Sequence, residues 1–351
     1  MIKSELLEKE ITQLTKLIDS SSLPVELREK ATKMVDQLRL SWEMGNFIDN
    51  IEKVKAYIGW ISELPWEKDT KDILDLAHAK QVLDENHHGL DQVKTRILEY
   101  LSVMILKEQR KEKETIRAPI LCFVGLVGTG KTTIARSIAD AMGRKFIRIP
   151  FGGLGDPLYL RGQSRIHSES EPGQIIKGLF QTGSKNPVIL LDEIDRVADK
   201  ALNTIMGVLV ELLDPEQNSR FTDYYIDYPF NLSSALFIAT ANNTRRIATA
   251  VLDRLEPIQM PSYNDEEKIV IGKKYLFPRA LVEAGLSEND LSIDDNCWPQ
   301  IVRPLGFDAG VRTLKRNIEG VCRKVARLIV EGKESSFRIT QTNIGEFLPR
   351  W

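Results

Sequence analysis

Ile120-Leu-Cys-Phe-Val124-Gly125-Leu-Val-Gly128-Thr129-Gly130-Lys131-Thr132 is the stretch that decides how this 351-residue chain is read. Five apolar residues lead into the spacing GxxxxGK[ST], and Thr132–Met142 continues at helical period. That context of strand, glycine loop and helix is the one in which the spacing binds phosphate. Gly125, Gly128 and Gly130 let the backbone curl so that N–H groups point inward at phosphate oxygens. Thr129 and Thr133 complete the loop's phosphate-binding set, and the helix N-terminus adds its positive dipole end. Lys131 is expected to reach the β- and γ-phosphates and the Thr132 hydroxyl to ligate Mg²⁺.

Downstream, Val188-Ile-Leu-Leu191 runs into Asp192-Glu193. Two acids at a strand end are by themselves solvated loop residues as readily as a site. Behind a phosphate loop they supply what phosphoryl transfer to water needs: Asp192 for the Mg²⁺ shell and Glu193 as general base on the attacking water. From Pro119 onward short apolar runs alternate with amphipathic segments: Ile120–Val124, Phe146–Ile149, Val188–Leu191 and Leu236–Thr240. Such runs suit the buried strands of a parallel sheet covered on both faces.

The flanks read differently. Leu7, Ile11, Leu14 and Ile18, then Leu27, Ala31, Met34 and Leu38, recur at helical spacing around a break at Ser20–Pro24, which predicts a helical hairpin. Asn46–Ile61 predicts another helix. Ala77–Lys107 predicts two, split at His87-His88-Gly89, before a charged stretch to Arg117. After Pro261 the chain turns helical, with an apolar stripe at Leu314, Ile318, Val321, Val325 and Leu328, and ends past Phe347-Leu348-Pro349 at Trp351. The expected domains are a helical segment over 1–70, an α/β P-loop domain over 71–260 and a helical lid over 261–351. A net charge of −2 weighs against a nucleic-acid partner. Three scattered cysteines argue against a disulfide framework, and no apolar run is long enough for a signal peptide or a membrane span. A cytoplasmic location is therefore expected.

Nearly the whole chain resembles the ATPase region of Lon-type AAA+ proteases. The matching stretches are Glu63-Leu-Pro-Trp66, His87-His-Gly-Leu90, Val93–Leu101, the phosphate loop, Gly143-Arg-Lys-Phe146, Leu190-Leu-Asp-Glu-Ile-Asp195, Leu213-Asp-Pro-Glu-Gln-Asn218, Phe237-Ile-Ala-Thr-Ala-Asn242, Leu252-Asp-Arg254 and Ala309-Gly-Val-Arg312. The resemblance implies an AAA+ fold that binds ATP or ADP with Mg²⁺ and assembles as a homo-oligomer, a hexameric ring. It implies that Asn242 is a sensor placing water near the γ-phosphate, that Arg254 is an arginine finger acting on a neighbouring subunit's ATP, and that Arg312 is the lid's sensor arginine. It implies that His87, His88, Gly89 and Leu90 line the adenine pocket. His88 stands where the family has a tyrosine, and a helix-break turn is the other reading of the histidine pair.

The chain also departs from the family. It stops at Trp351, where a Ser-Lys protease domain would follow, so no peptidase activity is expected of it. Between Arg161-Gly162 and Pro172-Gly173, His167 and Ser168 occupy the positions of the substrate-gripping pair, next to Glu169 and Glu171. Asp199–Ile205 replaces an Arg-Gly-Asp-Pro run. The expected function is ATP-driven unfolding or translocation of protein substrates, feeding a separate protease or a protease domain of a longer chain. A nucleotide-switched interaction scaffold and a DNA-associated AAA+ protein are the alternatives.

Overall fold

The computed structural model describes residues 2–43, 51–110, 119–167, 169–303 and 309–348. The Leu7 side chain, the helix start expected at Asn46, Lys111–Arg117 of the charged stretch, Ser168, Pro349 and Trp351 lie outside the described residues. The expected hairpin is α1 (Ile2–Ser20) and α2 (Val25–Glu43), with Ile11, Leu14, Ile18, Leu27, Ala31 and Val35 buried. Arg28 fastens its turn, donating to the Ser21 carbonyl at 2.7 Å. Helix α3 (Ile51–Glu63) packs on both. Then come α4 (Leu76–Asn86), whose first N–H groups are capped by the Asp75 carboxylate, and α5 (Asp91–Gln109), split from it at His87–Leu90.

The α/β region runs β1 (Ile120–Val124), α6 (Lys131–Met142), β2 (Phe146–Pro150), α7 (Leu158–Arg161), α8 (Gln174–Thr182), β3 (Val188–Asp192), α9 (Leu202–Leu213), α10 (Pro215–Asn218), β4 (Phe221–Asp223), β5 (Tyr228–Phe230), β6 (Leu236–Ala241), α11 (Thr249–Leu252) and β7 (Leu255–Gln259). Five strands form a parallel sheet in the order β2-β3-β6-β1-β7. Alternation along each strand divides the side chains between two cores. Cys122, Ile189, Leu191, Phe237 and Ala239 join one core, together with residues of α1–α3, α8 and α9. Leu121, Phe123, Val188, Leu190 and Ile238 join the other, beneath α4–α6. This two-sided burial is why the strands read as unbroken apolar runs. The N-terminal helices share a continuous apolar cluster with the sheet. Trp60 packs on Phe180 with ring centroids 4.4 Å apart, and the Tyr57 hydroxyl donates to the Ile226 carbonyl at 3.0 Å.

The lid contains α12 (Asp265–Ile271), opened by an Asn264–Glu267 capping box, then α13 (Phe277–Glu283), β8 (Leu291–Ile293), α14 (Trp298–Val302), α15 (Arg312–Val330), β9 (Phe337–Ile339) and α16 (Ile344–Phe347). The expected stripe on α15 buries Leu314, Ile318, Val321 and Val325 in the lid's own core, while Leu328 is partly buried. Three features differ from the sequence reading. The lid holds a parallel β8–β9 pair, β4 and β5 form a short antiparallel hairpin, and β7 completes the sheet. Its sequence, Leu-Glu-Pro-Ile-Gln, lacks a run of apolar residues because β7 is an edge strand. Pro257 is exposed there, where no further strand needs its missing N–H. The three cysteines are buried and unpaired. Among the described residues no helix is long and apolar enough to cross a membrane.

The segment before α4 is held to the base of the sheet by a partly buried ion pair. Arg144 donates from Nε at 2.9 Å and Nη2 at 2.6 Å to the two Asp72 oxygens, and from Nη1 to the Ser234 carbonyl at 3.0 Å. Removing one partner of such a pair strands the other. Arg144→Met is expected to cost about 1–2 kcal/mol in urea unfolding; an unchanged midpoint would show that the pair contributes nothing.

Candidate functional site

In a parallel sheet all strands end on the same edge. The phosphate loop after β1, Asp192 at the end of β3 and Asn242 just past β6 therefore emerge side by side. Gly128 (φ +84°) and Gly130 (φ +93°) hold left-handed conformations that a side chain would strain. A Cβ on Gly125 would lie 2.8 Å from Met260 Cβ and from its carbonyl oxygen, so the loop can approach β7 only as glycine. Thr129 ties the loop across itself, donating to the Leu126 carbonyl at 2.9 Å, and Thr133 donates to the Gly130 carbonyl at 2.8 Å. Gly130 gives α6 no side-chain cap, so the first-turn N–H groups face no competing side-chain acceptor from that position. The Lys131 ammonium donates to the carbonyls of Gly125 at 2.6 Å and Leu126 at 2.9 Å and to Asn242 Oδ1 at 3.3 Å. Burial lowers its pKa, opposed by Glu193, Asp195 and Asp192.

Asp192 is almost fully buried. Its Oδ1 accepts from the Thr240 hydroxyl at 2.5 Å, and the Thr132 hydroxyl lies 3.3 Å away. Thr240 also accepts the Glu193 N–H at 2.8 Å, so one hydroxyl orients both acids. Glu193 sits at φ +59°, a strained conformation for a residue with a side chain. That kink places Glu193 on the cavity wall, and Arg196 approaches its carboxylate to 3.2 Å.

The lid closes over this edge. The Val311 N–H donates to the Gly128 carbonyl at 3.0 Å, and a Cβ on Gly310 would meet the Gly128 backbone at 2.5 Å. Arg312, the first residue of α15, thereby reaches the cavity. The cavity measures about 450 Å³ and is lined by His87, His88, Gly128, Gly130, Lys131, Thr132, Thr133, Asp192, Glu193 and Arg312, with Tyr275, Arg279 and Lys315 from the lid. Its donor set fits a nucleotide with a divalent cation: N–H groups and Lys131 for phosphates, and a hydroxyl and a carboxylate for the metal. Gly89 (φ +61°) and Leu90 (φ +59°) are consecutive left-handed residues that turn the chain between α4 and α5, which brings His87 and His88 to the cavity wall. Lys94 braces that turn, donating to the His87 carbonyl at 2.7 Å and to Asp84 at 2.8 Å.

Of the expected site residues, Gly89, Leu90, Gly125, Thr129 and Asn242 adjoin the cavity through their neighbours without lining it, and Arg254 is placed elsewhere. It precedes β7, and Ile120 pairs with Leu255 at the start of both strands, so Arg254 sits about 16 Å down the sheet from the phosphate-loop end. There it donates to Asp214 at 2.9 Å and to the Ala250 carbonyl at 2.7 Å. That guanidinium holds the Asp214 carboxyl below the usual carboxylate range.

Residues 121–263 match the family described as "ATPase family associated with various cellular activities (AAA)". Residues 282–337 match "Lon protease AAA+ ATPase lid domain". The chain belongs to the Lon-type AAA+ family. It is 44% identical over 341 residues to the Lon protease of Lawsonia intracellularis (strain PHE/MN1-00). It is 43% identical over 340 residues to that of Geobacter metallireducens (strain ATCC 53774 / DSM 7210 / GS-15). Each match covers 97% of this chain and 40% of the relative. The described residues are thus a Lon-like AAA+ ATPase module.

Sequence reasoning missed Arg148, Thr240 and Arg279. Thr240 had a signal: it is a polar residue inside an apolar run, and it is fully buried. Arg148 and Arg279 had none, because only folding brings them to the cavity.

His87 Nε2 and Ser137 Oγ lie 2.9 Å apart in a buried setting. Burial, with Lys94 and Arg279 near, pushes the His87 pKa down to about 4. Between about pH 6.5 and 4 the unfolded chain therefore binds a proton that the folded chain refuses, so stability falls as pH falls, by at most about 1.4 kcal/mol per unit. His87→Gln is expected to lose stability less steeply across that window in urea melts; parallel slopes would contradict a neutral buried imidazole.

Proposed function

We propose that this Lon-like module hydrolyses ATP with Mg²⁺ and uses the cycle to unfold or translocate protein. The observation that carries the reading is the convergence of the phosphate loop, Asp192, Glu193 and the lid's Arg312 on one cavity, with Asn242 held against Lys131. In this reading Lys131 and the first-turn N–H groups of α6 bind the phosphates, and His87–Leu90 face the adenine. Thr132 and Asp192 hold Mg²⁺, which supplies charge neutralisation at the phosphates. Glu193 accepts the proton of the attacking water, and Asn242 orients that water. Arg312 lets the lid respond to the phosphates, and its rotation moves the loops at the opposite face. Arg254, held outside its own cavity, acts on the site of a neighbouring copy, so the active form is an oligomer, a homohexameric ring.

The unit boundaries near residues 70 and 260, a cytoplasmic setting and a protease domain or subunit as partner belong to the same reading. Peptide cleavage is not assigned to these residues. The loop between Arg161 and Pro172 supports contact with a polypeptide: Ile166 is 88% exposed at its tip, and His167 follows in a turn closed by a His167 N–H bond to the Ser164 carbonyl at 3.1 Å. Around them Arg165, Glu169 and Glu171 make the loop polar, which favours the second reading, a nucleotide-switched scaffold that does not thread protein.

Steady-state ATP hydrolysis with and without casein separates the two. Casein-stimulated turnover supports the unfoldase, and unstimulated turnover supports the scaffold. Stimulation by DNA would overturn both. Lys131→Ala is expected to lose nucleotide binding and Glu193→Gln to keep binding but stop turnover; parent-rate hydrolysis by Glu193→Gln would remove it as the base.

Arg254→Ala is expected to bind ATP and turn over at least about 100-fold more slowly. Mixing it with Glu193→Gln should restore activity, since mixed oligomers then contain intact interfaces. Additive, inactive mixtures would sink action between subunits.

A further inference from the structure

Asp192 is 3% exposed, and a carboxylate so buried carries its charge only with partners on its oxygens. Thr240 meets Oδ1 at 2.5 Å. Oδ2 is met by Arg148, whose Nε and Nη2 each lie 2.7 Å away. The register explains the reach. Strands β2 and β3 are parallel, with Arg148 opposite Leu190 and Pro150 opposite Asp192, so the long arginine side chain spans two residues along the strand. The two partners differ in freedom. The Asp192 side chain is 4% exposed and fixed at a strand end, whereas that of Arg148 is 54% exposed and lines the cavity beside Thr132 and Glu193.

The carboxylate that the proposed function assigns to Mg²⁺ thus has one oxygen engaged by a guanidinium. Arginine does not lose its proton, so it leaves only by exchange with another cation. Its planar fork also suits phosphate oxygens, which the same cavity is built to receive.

We propose that Arg148 is an exchangeable counter-ion of Asp192, competing with the divalent cation for the carboxylate and passing to the nucleotide's phosphates when the cation binds. The proposal rests on the reading of Asp192 as the Mg²⁺ residue. Such an exchange replaces a guanidinium by a divalent cation, so the buried carboxylate is never left alone. A purely structural arginine would have the opposite signature: its loss would disorder Asp192 and weaken cation binding.

The test uses the full chain with ADP and Mn²⁺, reading bound Mn²⁺ by electron paramagnetic resonance and ADP by a fluorescent analogue. In Arg148→Gln the half-saturating Mn²⁺ is expected to fall roughly tenfold, the scale of a coupling between two cations at one site. Arg148→Lys, which keeps a charge but not the fork, is expected to fall by less and guards against a folding defect in the first variant. Unchanged or weaker Mn²⁺ binding with ADP still bound would overturn the counter-ion role and leave the nucleotide site standing. Failure of the parent chain to bind ADP would overturn the site and the proposal together.

Discussion

The common polarity of the five strands is the constraint on which the site depends. Backbone hydrogen bonding keeps β2, β3, β6, β1 and β7 parallel, so their C-terminal ends share one edge. Segments more than a hundred residues apart, Gly125–Thr132 and Asn242, are thereby within hydrogen-bond distance, as the Lys131–Asn242 contact at 3.3 Å records. The same polarity puts Arg254 at the opposite end, where it cannot serve its own cavity. One geometric rule thus separates the residues that bind within a chain from the one that acts across chains in the proposed ring.

A second constraint joins the α/β unit to the lid. Gly128 and Gly310 touch backbone to backbone, with the Val311 N–H on the Gly128 carbonyl. Gly310 leaves no room for a side chain and Gly128 is held at positive φ, so a motion of the lid is felt directly at the phosphate loop. At the other end of the chain α1–α3 share a core with the sheet, and Arg165, beside the exposed Ile166, stacks over Tyr57 of α3 at 3.8 Å. The helices that begin the chain therefore brace the loop proposed to meet substrate.

Electrostatics in the cavity follow from burial. Lys131, Arg148 and Arg312 stand among Asp192, Glu193 and the lid's Glu283 and Glu319. A hydroxyl and a guanidinium satisfy the buried Asp192 oxygens, while burial and nearby cations push the His87 pKa down to about 4. On the cavity wall Glu193 combines a strained backbone with partial exposure, which suits the role of base proposed for it.

Local chemistry made much of this legible in the sequence. A glycine loop between strand and helix, two acids closing an apolar run, and helical periods on both flanks are short-range patterns, and the phosphate loop and Asp192-Glu193 were readable from them. Edge strand β7, the β8–β9 pair and the short hairpin were not. Their three to five residues carry no run long enough to show a period, and they are strands only because a neighbour pairs with them. Arg148 on Asp192, Thr240 bridging both acids and Asp214 holding Arg254 were equally hidden, being contacts between residues 40 to 48 positions apart. The sequence by itself determined which groups are proposed to bind phosphate, since backbone curl and charge are local properties. Only the tertiary structure decided which of them meet, because the order and register of a sheet are set by packing across the whole chain.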